Sequence, residues 1–377
     1  MAPDTLSRRA INRALLARQL LLERHARTPY AAYSHSQARA SALISTIEHL
    51  VGMQAQVPAD PYVGLWTRLA DFDPAELSDL LEQRAAVRAT LMRATIHLVT
   101  ARDALFLRPL MQPVPTRTFN GQYGRRVDGI DREALLAAGR ELVEQRPRTR
   151  AELRAELAAR WPEHDAEALA FAITFMVPLV QVTPRGLWGR SGQATWTTIE
   201  AWLDRPLDAA PAHEDLVLRY LAAFGPATVM DIQAWCGLTR LREVTDRLAP
   251  RLRTFRSEDG RELLDLPDAP RPDPDTPAPV RFLPEFDNVA LAHADRTHVI
   301  DGGGSDYTPV AGRGGRRGAL MVDGFARALW RLTPTGLRIE TFGKVPKRAH
   351  GAIEAEGRRL AAFLAPNAAD AIEIVPR

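Results

Sequence analysis

Gly52-Met53-Gln54-Ala55-Gln56-Val57-Pro58-Ala59-Asp60-Pro61-Tyr62-Val63-Gly64-Leu65-Trp66-Thr67-Arg68-Leu69 is the stretch on which the reading of the whole chain turns. It follows an amphipathic segment at residues 42–51 and runs into a second apolar one. Pro58 and Pro61 exclude a continuous helix, because proline lacks the backbone donor and pushes the residue before it out of the helical region. Gln54 and Gln56 therefore fall where the chain leaves a helix and becomes extended. In extended backbone, residues two apart point the same way, so two primary amides would face one spot. On a helix they would stand about 200° apart. By spacing alone the ordinary reading is two surface glutamines ahead of a proline-rich turn, since Gln-x-Gln is short and common. A turn position buries little, so either could be replaced without loss of the fold.

Composition narrows the class. A chain of 377 residues is long enough for two to four domains by the usual ~100–200 residues each. The 46% hydrophobic and 25% charged content is that of an ordinary globular protein. No stretch approaches the ~20 apolar residues that span a bilayer. Residues 1–9 show no apolar segment of a secretory signal. The single cysteine, Cys236, excludes an internal disulfide and a multi-cysteine zinc site. Cytoplasm is the expected location. Net charge is +3, and of 49 basic residues only Lys344 and Lys347 are lysine. Codon bias in a GC-rich genome accounts for most of that skew, although arginine is also the better bidentate partner for phosphate. A nucleic-acid surface on this chain must be a local patch rather than a global field.

Working outward from the opening stretch, leucines at helical spacing predict a helix at residues 11–25, and residues 26–40 read as a loop. Helices are expected at 42–51, 62–69 and 74–84. In residues 88–100, Met92, Ala94, Ile96 and Leu98 alternate with Arg93, Thr95 and His97, which predicts one strand with a polar face. That face is either a solvated hairpin surface or a site wall opposite the glutamines. Residues 109–118 are proline-rich and read as a loop, and residues 119–126 as basic and mobile. Helices at 132–145, 150–160 and 165–177 are followed by residues 182–190 and 194–198, which read as a strand, a Gly-containing turn and a strand. Thr149 and Glu152 form a capping box for the second of these helices. Three helices and a hairpin make the winged-helix pattern. It recurs as helices at 214–224, 229–236 and 240–248, followed by a hairpin at 252–255 and 263–266. Residues 267–279, with six prolines, form a linker or long loop. Residues 280–340 read mostly as strands, with Asp323-Gly324 as a hairpin turn, and 351–364 as a terminal helix. The expected fold class is α+β: tandem winged-helix units at 10–118, 130–205 and 212–267, then a β-rich domain at 280–377.

The chemistry on offer is sparse. The nine histidines show no metal spacing, and the nearest pair, His293 and His298, reads as packing or hydrogen bonding. No nucleophile elbow appears. The Gly-rich stretch at 301–305 and 312–318 runs into a strand, whereas a nucleotide-cradling loop should open into a helix. No metal, cofactor or nucleotide is therefore expected. Arg313, Arg316 and Arg317 in that stretch fit contacts to DNA phosphates instead.

Four stretches together resemble the winged-helix bacterial DNA glycosylases, the AlkZ/YcaQ-like family, over about residues 10–365. They are Gly-Met-Gln-Ala-Gln with Pro-Tyr-Val-Gly-Leu-Trp in the opening stretch, Leu-Met-Arg-Ala-Thr-Ile-His-Leu-Val at 91–99, Pro-Arg-Gly-Leu-Trp at 184–188, and Leu-Pro-Glu-Phe-Asp-Asn at 283–288. The Gln-x-Gln form is similar to the AlkZ-like branch; in the YcaQ-like branch aspartate replaces the second glutamine. The resemblance implies a monofunctional glycosylase that excises alkylated purines from double-stranded DNA, with Gln54 and Gln56 as the catalytic pair. A purine alkylated at N7 or N3 is already cationic and leaves without strong acid help, so two oriented amides that hold a water fit the missing metal, nucleophile and paired carboxylates. Some family members act on bulky or crosslinking adducts and protect antibiotic producers. DNA contacts are expected from Arg93, Thr95, His97, Arg185, Trp188, Arg313, Arg316 and Arg317, with the hairpins at 184–190 and 256–261 as candidates to enter the minor groove. Trp188 has a second reading as a wing-core residue. A monomer is expected. The competing reading is a non-enzymatic winged-helix regulator with a ligand-sensing β-domain. That reading explains the repeats but not the paired glutamines. A hydrolase of an unrelated class is a third, weakened by the lack of a catalytic constellation.

Overall fold

Side-chain oxygens start many of the helices. Ser7, Asp73, Thr100, Asp131, Thr149, Asp165 and Thr228 each accept a backbone N–H in the first turn that follows them, satisfying donors that a helix cannot pair internally. The computed structural model describes residues 4–26, 35–300, 317–342, 344–366 and 371–377. β1 (Thr5–Leu6) leads into α1 (Arg8–Arg18), followed by α2 (His35–His49), β2 (Met53–Gln54), α3 (Asp60–Arg68) and α4 (Pro74–Glu82). Next come β3 (Ala86–Thr90), β4 (Ile96–Thr100), α5 (Ala101–Met111), α6 (Pro113–Tyr123), α7 (Arg132–Gln145), β5 (Arg148–Thr149), α8 (Arg150–Arg160) and α9 (Ala166–Met176). β6 (Leu179–Gln181), β7 (Thr195–Thr198), α10 (Ile199–Leu203), α11 (His213–Phe224), α12 (Val229–Cys236) and α13 (Leu241–Leu248) continue the chain. Then β8 (Arg253–Ser257), β9 (Glu262–Asp265), β10 (Arg281–Pro284), α14 (Asn288–Leu291), β11 (Arg317–Val322), β12 (Phe325–Thr333), β13 (Gly336–Thr341), α15 (His350–Leu364) and β14 (Ala371–Pro376) close it. The architecture is mixed α+β.

Three sheets organise these elements. A six-stranded antiparallel sheet runs β2-β4-β3-β6-β7-β5, so strands from before residue 101 and after residue 178 share one sheet through the β3–β6 pair. β1 adds in parallel to the β8–β9 hairpin. The third sheet, β10-β11-β12-β13-β14, is antiparallel except for its last pair. β14, which no sequence signal announced, covers its edge. Segment 267–279 has no regular structure, but it is pinned to α1: Arg9, Arg13 and Arg18 donate to the carbonyls of Pro274, Thr276 and Pro270. Arg18 also forms a fully buried ion pair with Asp265 at 2.7 Å. Among the described residues, no helix is long and apolar enough to cross a membrane.

The structure corrects several expectations. Residues 88–100 are not one strand but a hairpin, because Arg93 and Ala94 take φ of 54° and 57° and turn the chain back. Residues 109–118 are helical rather than loop. Pro113 and Pro115 occupy the first turn of α6, where the missing N–H would be unpaired anyway. Pro109, in the last turn of α5, cannot donate to the carbonyl of Leu105, and the N–H of Asp208 takes that carbonyl instead at 3.1 Å. Residues 119–126 are ordered: Phe119 is buried and Arg126 pairs with Asp165. The first strand of the hairpin expected from residue 182 lies earlier, at Leu179–Gln181, and the expected Gly-containing turn follows it. Arg313 and Arg316 lie outside the described residues.

Candidate active site

The site is built where α2 ends. Val51 and Gly52 turn the chain with φ of 52° and 85° and lay it flat on β4. A Cβ at position 52 would meet Val99 Cγ1 at 2.6 Å and Leu98 O at 3.0 Å, so glycine is required for the approach as well as for the angle. β2 then pairs with β4, placing Gln54 opposite His97, and the Ala55 N–H donates to Ile96 O at 2.7 Å. The extended backbone expected for the Gln-x-Gln segment is present. Gln54 is buried and Gln56 is exposed.

A directed chain of hydrogen bonds joins the two amides. Arg93 Nη2 donates to Gln54 Oε1 at 2.7 Å, and Gln54 Nε2 donates to Gln56 Oε1 at 2.8 Å. Arg93 Nη1 donates to the carbonyl of Trp235 near the C-terminal end of α12, where the helix dipole favours a cation. Burial pulls the Arg93 guanidinium down to about 10, so it stays charged at neutral pH. Its positive φ is unusual for a non-glycine residue. The two guanidinium contacts, to the glutamine turn and to α12, hold the hairpin tip in that conformation. Gly237, just past α12, has a φ of 85°, and a Cβ there would meet Val114 Cγ1 at 2.9 Å.

His97 is fully buried next to this chain. Its Nδ1 lies 3.0 Å from Thr95 O, which assigns the proton to Nδ1 and leaves Nε2 as a buried lone pair without a hydrogen-bond partner. Burial first, then the nearby Arg93 charge, pushes its pKa down to about 3. It is neutral at physiological pH and is no proton donor there. Thr95 closes the hairpin tip through its hydroxyl to Met92 O at 3.1 Å. Of the expected polar face Arg93-Thr95-His97, only His97 is in a strand; the other two form the tip.

Residues that the sequence did not single out hold the turn. Arg88 on β3 donates to Ala55 O, between the two glutamines, at 2.7 Å, and to Arg185 O at 3.4 Å. Arg185 in turn donates to Gly192 O at 2.8 Å, closing the loop it starts. Arg185 is thus tied to the glutamine turn by one intervening side chain. Trp188 is not. Its ring packs 4.9 Å from Tyr62 and 5.0 Å from Phe363, and its backbone N–H donates to Ser78 Oγ. Arg317 begins β11 and pairs with Glu285 at 2.9 Å. Close to that pair, Asp60 accepts from the Phe286 N–H, and burial holds its carboxyl well above the usual range. Arg88 carried one signal in the sequence, a charge inside an otherwise apolar strand. Among the described residues, no three His, Cys, Asp or Glu side chains are grouped to hold a metal ion.

A mixed α+β protein with a half-buried arginine linked through two amides to the surface is the class that fold and site define. The family profile described as "DNA glycosylase AlkZ-like" matches residues 47–363. The chain therefore belongs to the AlkZ-like DNA glycosylases, enzymes that act on DNA. Among solved structures it is similar to Streptomyces sahachiroi DNA glycosylase AlkZ, with a TM-score of 0.70 at 17% identity, over 98% of this chain and 100% of that chain. At that identity the likeness speaks for a shared fold. No curated protein sequence matches.

Proposed function

We propose that this DNA glycosylase excises alkylated purines, of the N7-alkylguanine or N3-alkyladenine type, from double-stranded DNA by means of Gln54 and Gln56. The observation that carries the reading is the hydrogen-bond chain itself. It ends on an exposed glutamine whose oxygen keeps a second lone pair free. A water donating one hydrogen to that oxygen turns its own lone pair outward, toward an anomeric carbon held over the turn. The alkylated base already carries the positive charge, so departure needs little acid help. The amide dipoles are oriented before the reaction and reorganise little during it. His97, neutral and buried, fits a wall rather than an acid.

Two further features belong to the proposal. The runs α7-α8-α9 with β6-β7 and α11-α12-α13 with β8-β9 each have the element order of a winged helix, and they would supply the surface for the duplex. The reaction is monofunctional. A strand-cleaving glycosylase needs an amine nucleophile in a desolvated site, whereas Lys344 and Lys347, the only lysines, are both exposed. No metal or cofactor takes part, and the protein works as a cytoplasmic monomer. Bulky or crosslinking adducts of a genotoxic natural product are the extended substrate class, because Gln56 lies at the surface rather than in a closed base pocket.

The test is incubation with duplex DNA carrying N7-methylguanine, N3-methyladenine or a bulky N7-guanine adduct. Free base and an abasic site in an unbroken strand are expected. Binding to the same DNA without any release would favour a regulator, and borohydride trapping of a covalent complex would refute the monofunctional mechanism.

A further inference from the structure

The hydrogen bonds at the glutamine turn have a direction. Arginine carries donors only, so the side of Gln54 that meets Arg93 must be its oxygen. The Gln54 NH2 then faces Gln56, and an NH2 group needs an acceptor, so Gln56 must present its oxygen inward and its own NH2 outward. One charged group, anchored on the Trp235 carbonyl, therefore fixes the orientation of two amides, the second of them in solvent. An amide without such an anchor is as easily satisfied after a 180° flip.

We propose that Arg93 is a positioning residue of the glycosylase site, rather than a phosphate contact, and that the chain it starts makes the two glutamines unequal. Position 54 must both accept from Arg93 and donate to residue 56, which a carboxamide does and a carboxylate does not. Position 56 needs only an acceptor toward Gln54. The outward NH2 of Gln56 is then a donor available to the DNA, suited to a purine N3 or a sugar oxygen at the minor-groove edge. The inference rests on the reading of this turn as the water-holding site.

The test has a spectroscopic arm and a kinetic arm, both on the full chain. In glutamine-15N-labelled protein, the Gln54 side-chain NH2 is expected to exchange more slowly than that of Gln56. In Arg93→Met both NH2 signals should shift and the Gln54 protection should be lost, with Arg93→Lys restoring most of it. Both signals unchanged in Arg93→Met would overturn the inference. In single-turnover base release at saturating enzyme, Gln54→Glu should be slower than Gln56→Glu by about tenfold or more, within the ~10²-fold scale of one oriented dipole. Equal losses, or the greater loss at Gln56, would also overturn it. Should Arg93→Met fail to fold, the Glu pair and the Arg93→Lys spectrum decide. Absence of base release by the parent protein would refute the proposed function, while the exchange measurement would still decide the role of Arg93.

Discussion

The glutamine turn at 52–56 and the stretch 283–288 both carry the family resemblance in the sequence, and the folded chain puts them to opposite uses. In the second stretch the side chains of Glu285, Asp287 and Asn288 are all engaged within the protein. Asp287 holds Arg68 through two 2.8 Å bonds with both side chains 1% exposed, and it caps α14. Asn288 Nδ2 reaches across to Gly52 O at 2.8 Å, and Leu283 O accepts from the Trp330 indole. This stretch is a clamp, and one of the things it clamps is the other stretch. In the glutamine turn the chain of donors ends with an amide that still has capacity toward solvent. The difference teaches that recurrence of a motif does not assign its role; what decides is whether its polar groups are satisfied within the protein.

The largest expected effect breaks the clamp. Asp287→Ala leaves the Arg68 charge buried without its carboxylate, and removal of one partner from a buried pair costs about 3–5 kcal/mol. A fall of that size in the unfolding free energy from urea titration checks it, and a stable variant would show that Arg68 finds another partner. Next, Gln56→Ala should slow single-turnover base release by ~10²-fold while moving stability by no more than about 0.5 kcal/mol, as for other surface changes. Gln54→Ala should slow release as much. It should also destabilise by about 1–3 kcal/mol, because it leaves Arg93 and Gln56 without their common partner. The premise that a turn position buries little thus holds for Gln56 but not for Gln54. If both variants excise at the parental rate, the turn is a clamp as well.

A smaller effect comes from His97. Its folded pKa of about 3 lies below the ordinary 6.5, so below pH 6.5 the unfolded chain binds the proton that the folded one refuses. The stability this group contributes is fully present above pH 6.5 and is lost on acidification toward pH 3, at up to about 1.4 kcal/mol per pH unit. His97→Asn should flatten that part of the acid limb in melts between pH 7 and 4. The pH profile of base release should show no step near 6.5 from this residue. The smallest effect is expected at Arg185, whose backbone is tied into the turn. If its guanidinium reaches a phosphate, Arg185→Ala should reduce the salt slope of DNA binding by about 1 and leave the rate of bound substrate unaltered; an unchanged slope would leave it as a loop clasp.

From the sequence alone came the elements whose cause is local. The capping box of Thr149 and Glu152, the Asp323-Gly324 turn and the helices at 132–145 and 165–177 depend on contacts a few residues apart, and they stand where the pattern put them. The extended Gln-x-Gln segment was legible for the same reason, since two prolines close by forbid the helix. Tertiary structure alone decided the rest. The hairpin tip at Arg93 has no glycine or asparagine to announce it, and the prolines of 109–115 read as loop until Asp208 satisfies the carbonyl they cannot. The orientation of the glutamine amides depends on a partner 39 residues away, itself anchored by a carbonyl a further 142 residues along. Local propensity is fixed by neighbours in sequence, whereas a strained backbone angle or the facing of an amide is fixed by whatever the fold brings against it.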